Sequence, residues 1–180
     1  MTTPPPPDLQ PTLCDASLLV RPLVATDLEA LAAAASDPLI WEQHPDPLRW
    51  QRPVFERNVF AGALASGSAF TVIERATGAV IGSSRYYDWQ PASREISIGY
   101  TFLVRRHWGG ATNAALKRLM LDHAFGFART VWFDVGAGNL RSRRAMEKIG
   151  GQLSHLGLKD MGAGPQPYAF YRIDAPEPHA

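Results

Sequence analysis

The chain has 180 residues, 46% of them hydrophobic, and its 18 basic and 17 acidic residues leave a formal net charge of +1. This length and composition predict a single globular domain with a sizeable hydrophobic core. The near-neutral charge gives no reason to expect a nucleic acid or a membrane surface as a partner, so we predict neither.

The N-terminal half of the sequence predicts short strands and helices behind a proline-rich tail. We assign that flexible tail to residues 1–16, because proline can neither continue a helix nor donate to a central strand. Residues 18–22 have the pattern of a short strand, and residues 28–35 follow an N-cap at Thr26-Asp27 and predict a helix. Further along we expect a structured loop over 40–53, a helix over 54–66, and a hairpin of strands over 69–75 and 79–87 around a turn at 76–78.

The C-terminal half predicts alternating strands and helices with a glycine pair, Gly109-Gly110, near its start. Residues 95–104 have the pattern of a half-buried strand, and residues 113–127 place apolar side chains on one helical face. After these we expect a strand over 130–135, a helix over 140–149 ended by a second glycine pair, and strands over 152–159 and 168–173. The order predicts one mixed α/β domain over residues 17–175 and a short tail over 176–180.

The glycine pair predicts an anion-binding site. A strand that turns through adjacent glycines into a helix leaves several main-chain N–H groups without partners, and the helix dipole adds positive potential at the same end. Phosphate and pyrophosphate groups bind at such helix N-termini. Arg105 and Arg106 precede the glycines and would add positive charge. We therefore expect a phosphorylated cofactor to bind here.

A second candidate phosphate site is Gly136-Ala137-Gly138, which also follows a predicted strand and precedes a helix. A dinucleotide-binding fingerprint requires a third glycine where this chain has Arg141, and it belongs in a βαβ unit, whereas the strands before this site are hairpin-connected. A Rossmann-type dehydrogenase is therefore the weaker interpretation. A P-loop nucleotidase has no support, because its motif G-x-x-x-x-G-K-S/T does not occur in the sequence.

What the sequence lacks excludes other classes of site. The single cysteine, Cys14, allows no intrachain disulfide, and the five histidines do not have the spacing of metal ligands, so we expect no metal. No apolar run reaches membrane-spanning length, and the N-terminus lacks the charged and apolar segments of a signal peptide. The expected location is therefore the cytoplasm.

Two motifs resemble those of the GCN5-related N-acetyltransferase (GNAT) family. The segment 106–111, RHWGGA, fits the family's pyrophosphate-loop pattern R/Q-x-x-G-x-G/A. The segment 139–150, NLRSRRAMEKIG, is similar to the downstream element N-x-x-A/S-x-x-x-x-x-K-x-G and lies in the expected order. The Trp-Gly pair and the NLRSRR helix are most similar to the branch that acetylates ribosomal proteins, and the whole resemblance extends over roughly residues 18–173.

This resemblance implies a fold and a donor substrate. Members of the family have a mixed, mostly antiparallel sheet of roughly six to seven strands with flanking helices. Acetyl-CoA would bind without a metal in the gap between two splayed parallel strands, here those at 95–104 and 130–135. The implied contacts to acetyl-CoA are the main chain of Val104, the pyrophosphate-binding residues Arg105, Arg106, Gly109, Gly110, Ala111 and Thr112, and Asn139 and Ser142 at the start of the next helix.

The implied reaction is direct attack of an unprotonated primary amine on the thioester. Deprotonating a lysine-like amine at pH 7 costs roughly 4–5 kcal/mol, whereas an α-amino group costs only about 1 kcal/mol. We expect Glu95 to act as the base, directly or through water, although many relatives carry this carboxylate at the position of Ser97. Met146 stands where many members have a tyrosine that protonates the leaving thiolate. Ser142 matches a serine near the sulfur in the ribosomal branch, and its hydroxyl is the candidate for that task.

The acceptor stays open between a protein N-terminal amine and a small-molecule amine. A catalytically reduced CoA-binding module that serves as a sensor or interaction partner is the alternative function, because the tyrosine and the usual carboxylate are both replaced. A homodimer is compatible with either function.

Overall fold

In the described part of the chain, residues 6–161 and 164–177 of the computed structural model, eight strands form one open sheet and five α-helices pack against it. The strands are β1 (Leu13–Cys14), β2 (Leu18–Pro22), β3 (Ala69–Glu74), β4 (Ala79–Gln90), β5 (Glu95–Leu103), β6 (Thr130–Gly136), β7 (Gln152–Asp160) and β8 (Pro165–Asp174). The helices are α1 (Leu28–Ala34), α2 (Arg52–Phe55), α3 (Ala61–Ala65), α4 (Thr112–Ala124) and α5 (Leu140–Lys148). Across the sheet the strands follow the order β1-β2-β3-β4-β5-β6-β8-β7.

The structure confirms a mixed, mostly antiparallel sheet with flanking helices and one parallel pair among the described strands. The predicted turn at 76–78 joins β3 to β4, and the amphipathic helix after the glycine pair is α4. The predicted helix over 54–66 is observed with an interruption, because a π-helical turn (Glu56–Phe60) lies between α2 and α3.

The prediction of a flexible tail over residues 1–16 is wrong for residues near its C-terminal end. β1 pairs with β2 through Leu13 and Val20, which raises the strand count to eight instead of the expected six to seven. Leu9 and Leu13 pack against the main core, and their burial outweighs the strand-breaking effect of the preceding prolines. Residues 1–5 and residues 178–180 of the second predicted tail lie outside the described part of the chain.

The helices cover both faces of the sheet. Successive residues of a strand point to opposite faces, and on β4 the Tyr86 hydroxyl donates to the main-chain oxygen of Met120 in α4, whereas Arg85 donates to that of Gly62 in α3. The larger hydrophobic core therefore lies between the sheet and α4. A smaller core, which includes Phe102 of β5, lies beneath the N-terminal helices on the other face.

The parallel strands β5 and β6 part after a short paired segment. Their described register ends at Ser97 and Trp132. On its other side β5 carries a bulge, because between Gly99 and Phe102 it has two residues where β4 has one. One of the two, Tyr100, has a left-handed φ of 51°. Since a bulge bends and twists its strand, β5 turns away from β6 and a gap opens between them.

Gly82 lies on β4 beside this bulge, where the backbones of β4 and β5 approach each other closely. A Cβ atom at Gly82 would lie 2.0 Å from the carbonyl oxygen of Phe102. We expect Gly82→Ala to lower the free energy of unfolding by about 2–4 kcal/mol, because main-chain atoms of one strand must shift. Gly62→Ala in α3 is the matched control, since its methyl group would meet no atom within 4 Å and alanine favours a helix by about 1 kcal/mol. Urea denaturation measures both variants, and a Gly82→Ala protein as stable as the parent would contradict the close approach.

Candidate functional site

The gap between β5 and β6 opens into a cleft of about 1130 Å³. Its walls are the bulged part of β5, the loop after β5, the first turns of α4 and α5, the end of β6 and the loop over residues 40–49. The lining includes residues that could bind a ligand or transfer a proton, namely Tyr87, Thr101, Gly109, Lys117, Asp134, Asn139, Ser142 and Lys159. The cleft thus combines the N-termini of two helices with several titratable side chains.

The loop between β5 and α4 forms a cradle of main-chain N–H groups. Gly109 has a left-handed φ of 70°, and a Cβ atom at Gly109 or Gly110 would meet no other atom within 4 Å. The first main-chain hydrogen bond of α4 is that from the N–H of Ala115 to the oxygen of Ala111. Among the described residues, the N–H groups of residues 109–112 donate to no main-chain oxygen. Open space, free donors and a helix N-terminus fit a pyrophosphate group.

Trp108 and Arg141 link this loop to the start of α5. The Trp108 indole N–H donates to the oxygen of Leu103 at 2.9 Å, which fixes the ring at the end of β5. The central carbon of the Arg141 guanidinium lies 3.9 Å from the centre of that ring, and the guanidinium donates a hydrogen bond to the main-chain oxygen of Ile40 at 3.0 Å. The two side chains therefore bridge the cleft between the glycine loop and α5.

Of the residues expected to contact acetyl-CoA, Gly109, Asn139 and Ser142 line the cleft, whereas the structure does not place Val104, Arg105, Arg106, Gly110, Ala111 or Thr112 in its lining. Arg105 pairs with Asp37, and the Arg106 guanidinium lies 3.9 Å from a Glu74 carboxylate oxygen. The N–H of Val104 donates to the oxygen of Ile81, and its own oxygen accepts from the N–H of His107. Surface ion pairing and local main-chain hydrogen bonds thus occupy groups that were expected to contact acetyl-CoA.

The first turn of α5 brings Asn139 and Ser142 together at the cleft. The Asn139 side-chain oxygen accepts a hydrogen bond from the N–H of Ser142 at 3.1 Å, so Asn139 is the N-cap of α5. Both residues line the cleft, as does Met146 one turn further along. The expected pair Asn139 and Ser142 is therefore placed within reach of a ligand in the gap.

Glu95 lies away from the cleft, which corrects its expected position. It is the first residue of β5, and its main chain pairs with Gln90 on one side and Thr130 on the other. The strands are still paired there, whereas the cleft lining begins at Ile98, after the strands have parted. Ser97 is buried in the paired segment. The carboxylate at the start of β5 therefore does not reach the gap.

Asp134 on β6 is the carboxylate that sequence reasoning did not single out. It follows Phe133 at the point where the strands part, and its side chain is only 9% exposed. Its Oδ2 atom accepts hydrogen bonds from the Tyr87 hydroxyl at 3.1 Å and from the Lys159 ammonium at 2.5 Å. Burial, with the Asp134 charge nearby, raises the pKa of Tyr87, so its phenol stays a neutral donor at physiological pH. The alternation of the strand places Asp134 on the face opposite Val131 and Phe133, but this pattern alone does not distinguish a carboxylate in a cleft from one on the surface.

The loop over residues 40–49 contributes the remaining titratable wall of the cleft. Burial, together with the neighbouring Arg49 guanidinium, lowers the pKa of His44 to about 4. The neutral imidazole accepts a hydrogen bond from the N–H of Asp46 at 2.9 Å, and its second nitrogen lies 3.2 Å from Arg49. Both ring nitrogens are thus occupied, and His44 shapes the cleft without serving as a base.

The described residues contain no group of three or more histidine, cysteine, aspartate or glutamate side chains arranged to hold a metal ion. Cys14 is exposed and carries a free thiol. Among residues 6–161 and 164–177, none of the helices is both long enough and apolar enough to cross a membrane.

Comparisons with known proteins identify the family of the domain and structures with a similar fold. The family model described as an acetyltransferase (GNAT) domain matches residues 17–152. No curated protein gives a significant match to the sequence. Among solved structures, the chain is similar to a GCN5-related N-acetyltransferase from Brucella melitensis, with 21% identity and a TM-score of 0.78 over 92% of this chain and 79% of that chain.

Two further solved structures have the same fold. An acetyltransferase of the GNAT family from Bacillus anthracis is 18% identical, with a TM-score of 0.69 over 91% of this chain and 98% of that chain. RimJ from Mycobacterium smegmatis, solved in complex with CoA-disulfide, is also 18% identical, with a TM-score of 0.69 over 88% of this chain and 82% of that chain. The likeness extends over 88–92% of this chain and 79–98% of the three similar chains.

Proposed function

Because this chain belongs to the GNAT family of acetyltransferases, we propose that it transfers the acetyl group of acetyl-CoA to a primary amine by direct attack of the amine on the thioester. The observation that carries the proposal is the cleft at the β5–β6 gap, which is lined both by Gly109, the first residue of the loop with free N–H groups, and by the nearly buried carboxylate of Asp134. The first feature suits a phosphorylated donor and the second suits an ammonium acceptor.

The donor side of the cleft would hold acetyl-CoA through its main chain. The N–H groups of residues 109–112 are the proposed pyrophosphate ligands, and Gly109 and Gly110 leave room for the phosphates. Asn139 and Ser142 would contact the pantetheine arm and the region of the sulfur from the start of α5. A main-chain N–H near Phe102 or Leu103 is the proposed donor to the oxyanion that develops on the thioester carbonyl.

The acceptor side of the cleft would bind and deprotonate the amine through Asp134. Lys159 and Tyr87 both donate to Oδ2 of this carboxylate, so Oδ1 is the oxygen that would take the proton of the acceptor. We assign to Asp134 the role of general base that was first expected of Glu95. The acceptor nitrogen loses a proton to Asp134, forms the new C–N bond with the carbonyl carbon, and displaces the CoA thiolate as the C–S bond breaks.

The acceptor class follows from the cost of deprotonation and from the resemblance to the ribosomal branch. An α-amino group requires about 1 kcal/mol for deprotonation at pH 7, whereas a lysine-like amine requires roughly 4–5 kcal/mol. A protein N-terminal amine is therefore the first acceptor to test, and small-molecule amines form the second group.

Release of free CoA thiol tests the proposed function. We expect the protein to release thiol from acetyl-CoA faster in the presence of at least one primary amine, with one acetylated amine formed for each thiol. N-terminal peptides, amino acids, polyamines and aminoglycosides form the amine panel, and the same amines acetylated beforehand serve as matched controls. Binding of acetyl-CoA without amine-dependent thiol release would contradict acetyl transfer and favour the CoA-binding module.

A further inference from the structure

Lys117 on α4 is a buried lysine whose ammonium lies at the cleft. The residue is 2% exposed, and its Nζ atom donates a hydrogen bond to the Thr101 hydroxyl at 2.6 Å. The same atom lies 5.7 Å from the centre of the Phe133 ring. Thr101 belongs to the bulge of β5 and Phe133 to β6, so the ammonium is held between the two strands where they part.

In the described part of the chain, the ammonium of Lys117 forms no ion pair with an acidic side chain. Its partner Thr101 in turn hydrogen-bonds the Ser84 hydroxyl at 2.8 Å. Burial lowers the pKa of Lys117 to about 7. An unpaired ammonium in a protein interior is unfavourable, and such groups are concentrated at functional sites. The neighbouring Leu116 and Met120 show that this helix otherwise buries apolar side chains.

We propose that Lys117 is the general acid that protonates the sulfur of CoA as the C–S bond breaks, an inference that rests on the proposed acetyl transfer. Methionine at position 146 has no proton to donate, and the Ser142 hydroxyl, which also lines the cleft, is a much weaker acid than an ammonium group, so Lys117 is the stronger proton donor that faces the gap. The electron pair of the breaking C–S bond goes to sulfur, and the sulfur takes a proton from Nζ, which becomes a neutral amine. Solvent then reprotonates Lys117, and the proton that Asp134 took from the acceptor is released to solvent.

The elements packed around Lys117 present few other titratable groups. β4 presents Tyr86, whose hydroxyl donates to the main chain of α4. β6 carries Asp134, which points to the sheet face opposite Phe133 and is held by Lys159. The loop before α4 carries His107, whose Nε2 lies 3.3 Å from Glu74. β5 and α5 contribute Thr101 and Met146 to this part of the cleft.

Two substitutions separate proton donation from simple electrostatics. Lys117→Met removes the charge, whereas Lys117→Arg keeps a charge that does not titrate near neutral pH. We expect kcat to fall about 100-fold or more in both variants while the affinity for acetyl-CoA changes by less than about threefold. Because Lys117→Met removes a buried charge, we expect its thermal unfolding midpoint to equal or exceed that of the parent, which verifies folding.

The dependence of kcat on pH tests whether Lys117 acts as a proton donor. A general acid must be protonated, so the contribution of Lys117 is full well below pH 7, is about half near pH 7, and is lost as the pH rises further. With a saturating acceptor, kcat of the parent should therefore decline on the alkaline side, and this decline should be absent in both variants.

The thiol of bound CoA gives a readout that does not depend on turnover. A thiolate beside Nζ favours the ammonium form of Lys117 and is stabilised by it, so the pKa of the bound thiol should lie below its value in free CoA, as measured by ultraviolet absorbance of the thiolate. Lys117→Met should remove that shift. Parent-like kcat in Lys117→Met, or a bound thiol with the pKa of free CoA in the parent, would overturn the role of Lys117. A parent protein that acetylates no amine would instead contradict the proposed function.

Discussion

Gly109→Val is expected to abolish acetyl-CoA binding while leaving the fold intact. Gly109 has a left-handed φ of 70°, which a β-branched residue adopts at a cost of about 1–2 kcal/mol. The loop would relax from this conformation, and the main-chain N–H groups of residues 109–112 would no longer converge on one anion. The valine methyl groups would also occupy the open space above the loop. We expect the affinity to fall at least about 100-fold, equivalent to about 3 kcal/mol.

Gly78→Val is the matched control for this prediction. Gly78 has a φ of 71° in the turn between β3 and β4, and a Cβ atom there would also meet no atom within 4 Å. The backbone strain is therefore similar, but Gly78 does not line the cleft. Isothermal titration calorimetry with acetyl-CoA compares the two variants. Parent-like affinity in Gly109→Val, or an equal loss in Gly78→Val, would contradict the assignment of the glycine loop.

Asp134→Asn is expected to lower kcat by about 100-fold to 10,000-fold, the range typical of a lost general base. The amide keeps the size of the carboxylate and can still accept a hydrogen bond from the Tyr87 hydroxyl, so the cleft should keep its shape. It cannot accept a proton or attract an ammonium group. We therefore expect the KM for the amine to rise as well, while the affinity for acetyl-CoA stays within about threefold of the parent. Steady-state kinetics of thiol release measures both parameters.

Glu95→Gln provides the matched carboxylate-to-amide control. Glu95 lies at the paired start of β5, outside the cleft lining, so its substitution should leave kcat within about twofold of the parent. The two variants together distinguish the two carboxylates. A large loss of kcat in Glu95→Gln with parent-like activity in Asp134→Asn would restore Glu95 as the base and remove Asp134 from that role.

The parts of the fold that depend on local sequence were predictable. The turn at 76–78 and helix α4 follow from turn residues and apolar spacing over a few positions, and both are observed. The observed N-cap at Asn139 is equally local, because its acceptor oxygen reaches an N–H three residues away and asparagine is a common N-cap residue. The glycine loop before α4 is also local, since the left-handed conformation of Gly109 depends on the residue type at that position.

The proposed catalytic arrangement depends on contacts that the local sequence does not encode. Asp134 reaches Tyr87 across 47 positions and Lys159 across 25 positions of the chain, so the acidic site exists only after the sheet has formed. Glu95 was misplaced because the point at which β5 and β6 part is determined by the bulge at Tyr100, and propensities give no signal for a left-handed tyrosine. The burial of Lys117 likewise results from tertiary packing of a residue type that is usually exposed.

A crystal structure of the protein with CoA will show whether donor binding and chemistry share one cleft. We expect the pyrophosphate on the N–H groups of residues 109–112, the pantetheine arm in the gap between β5 and β6, and the sulfur within hydrogen-bonding reach of Lys117. CoA bound outside this gap, or with its pyrophosphate away from the glycine loop, would exclude the β5–β6 gap as the site of acetyl transfer.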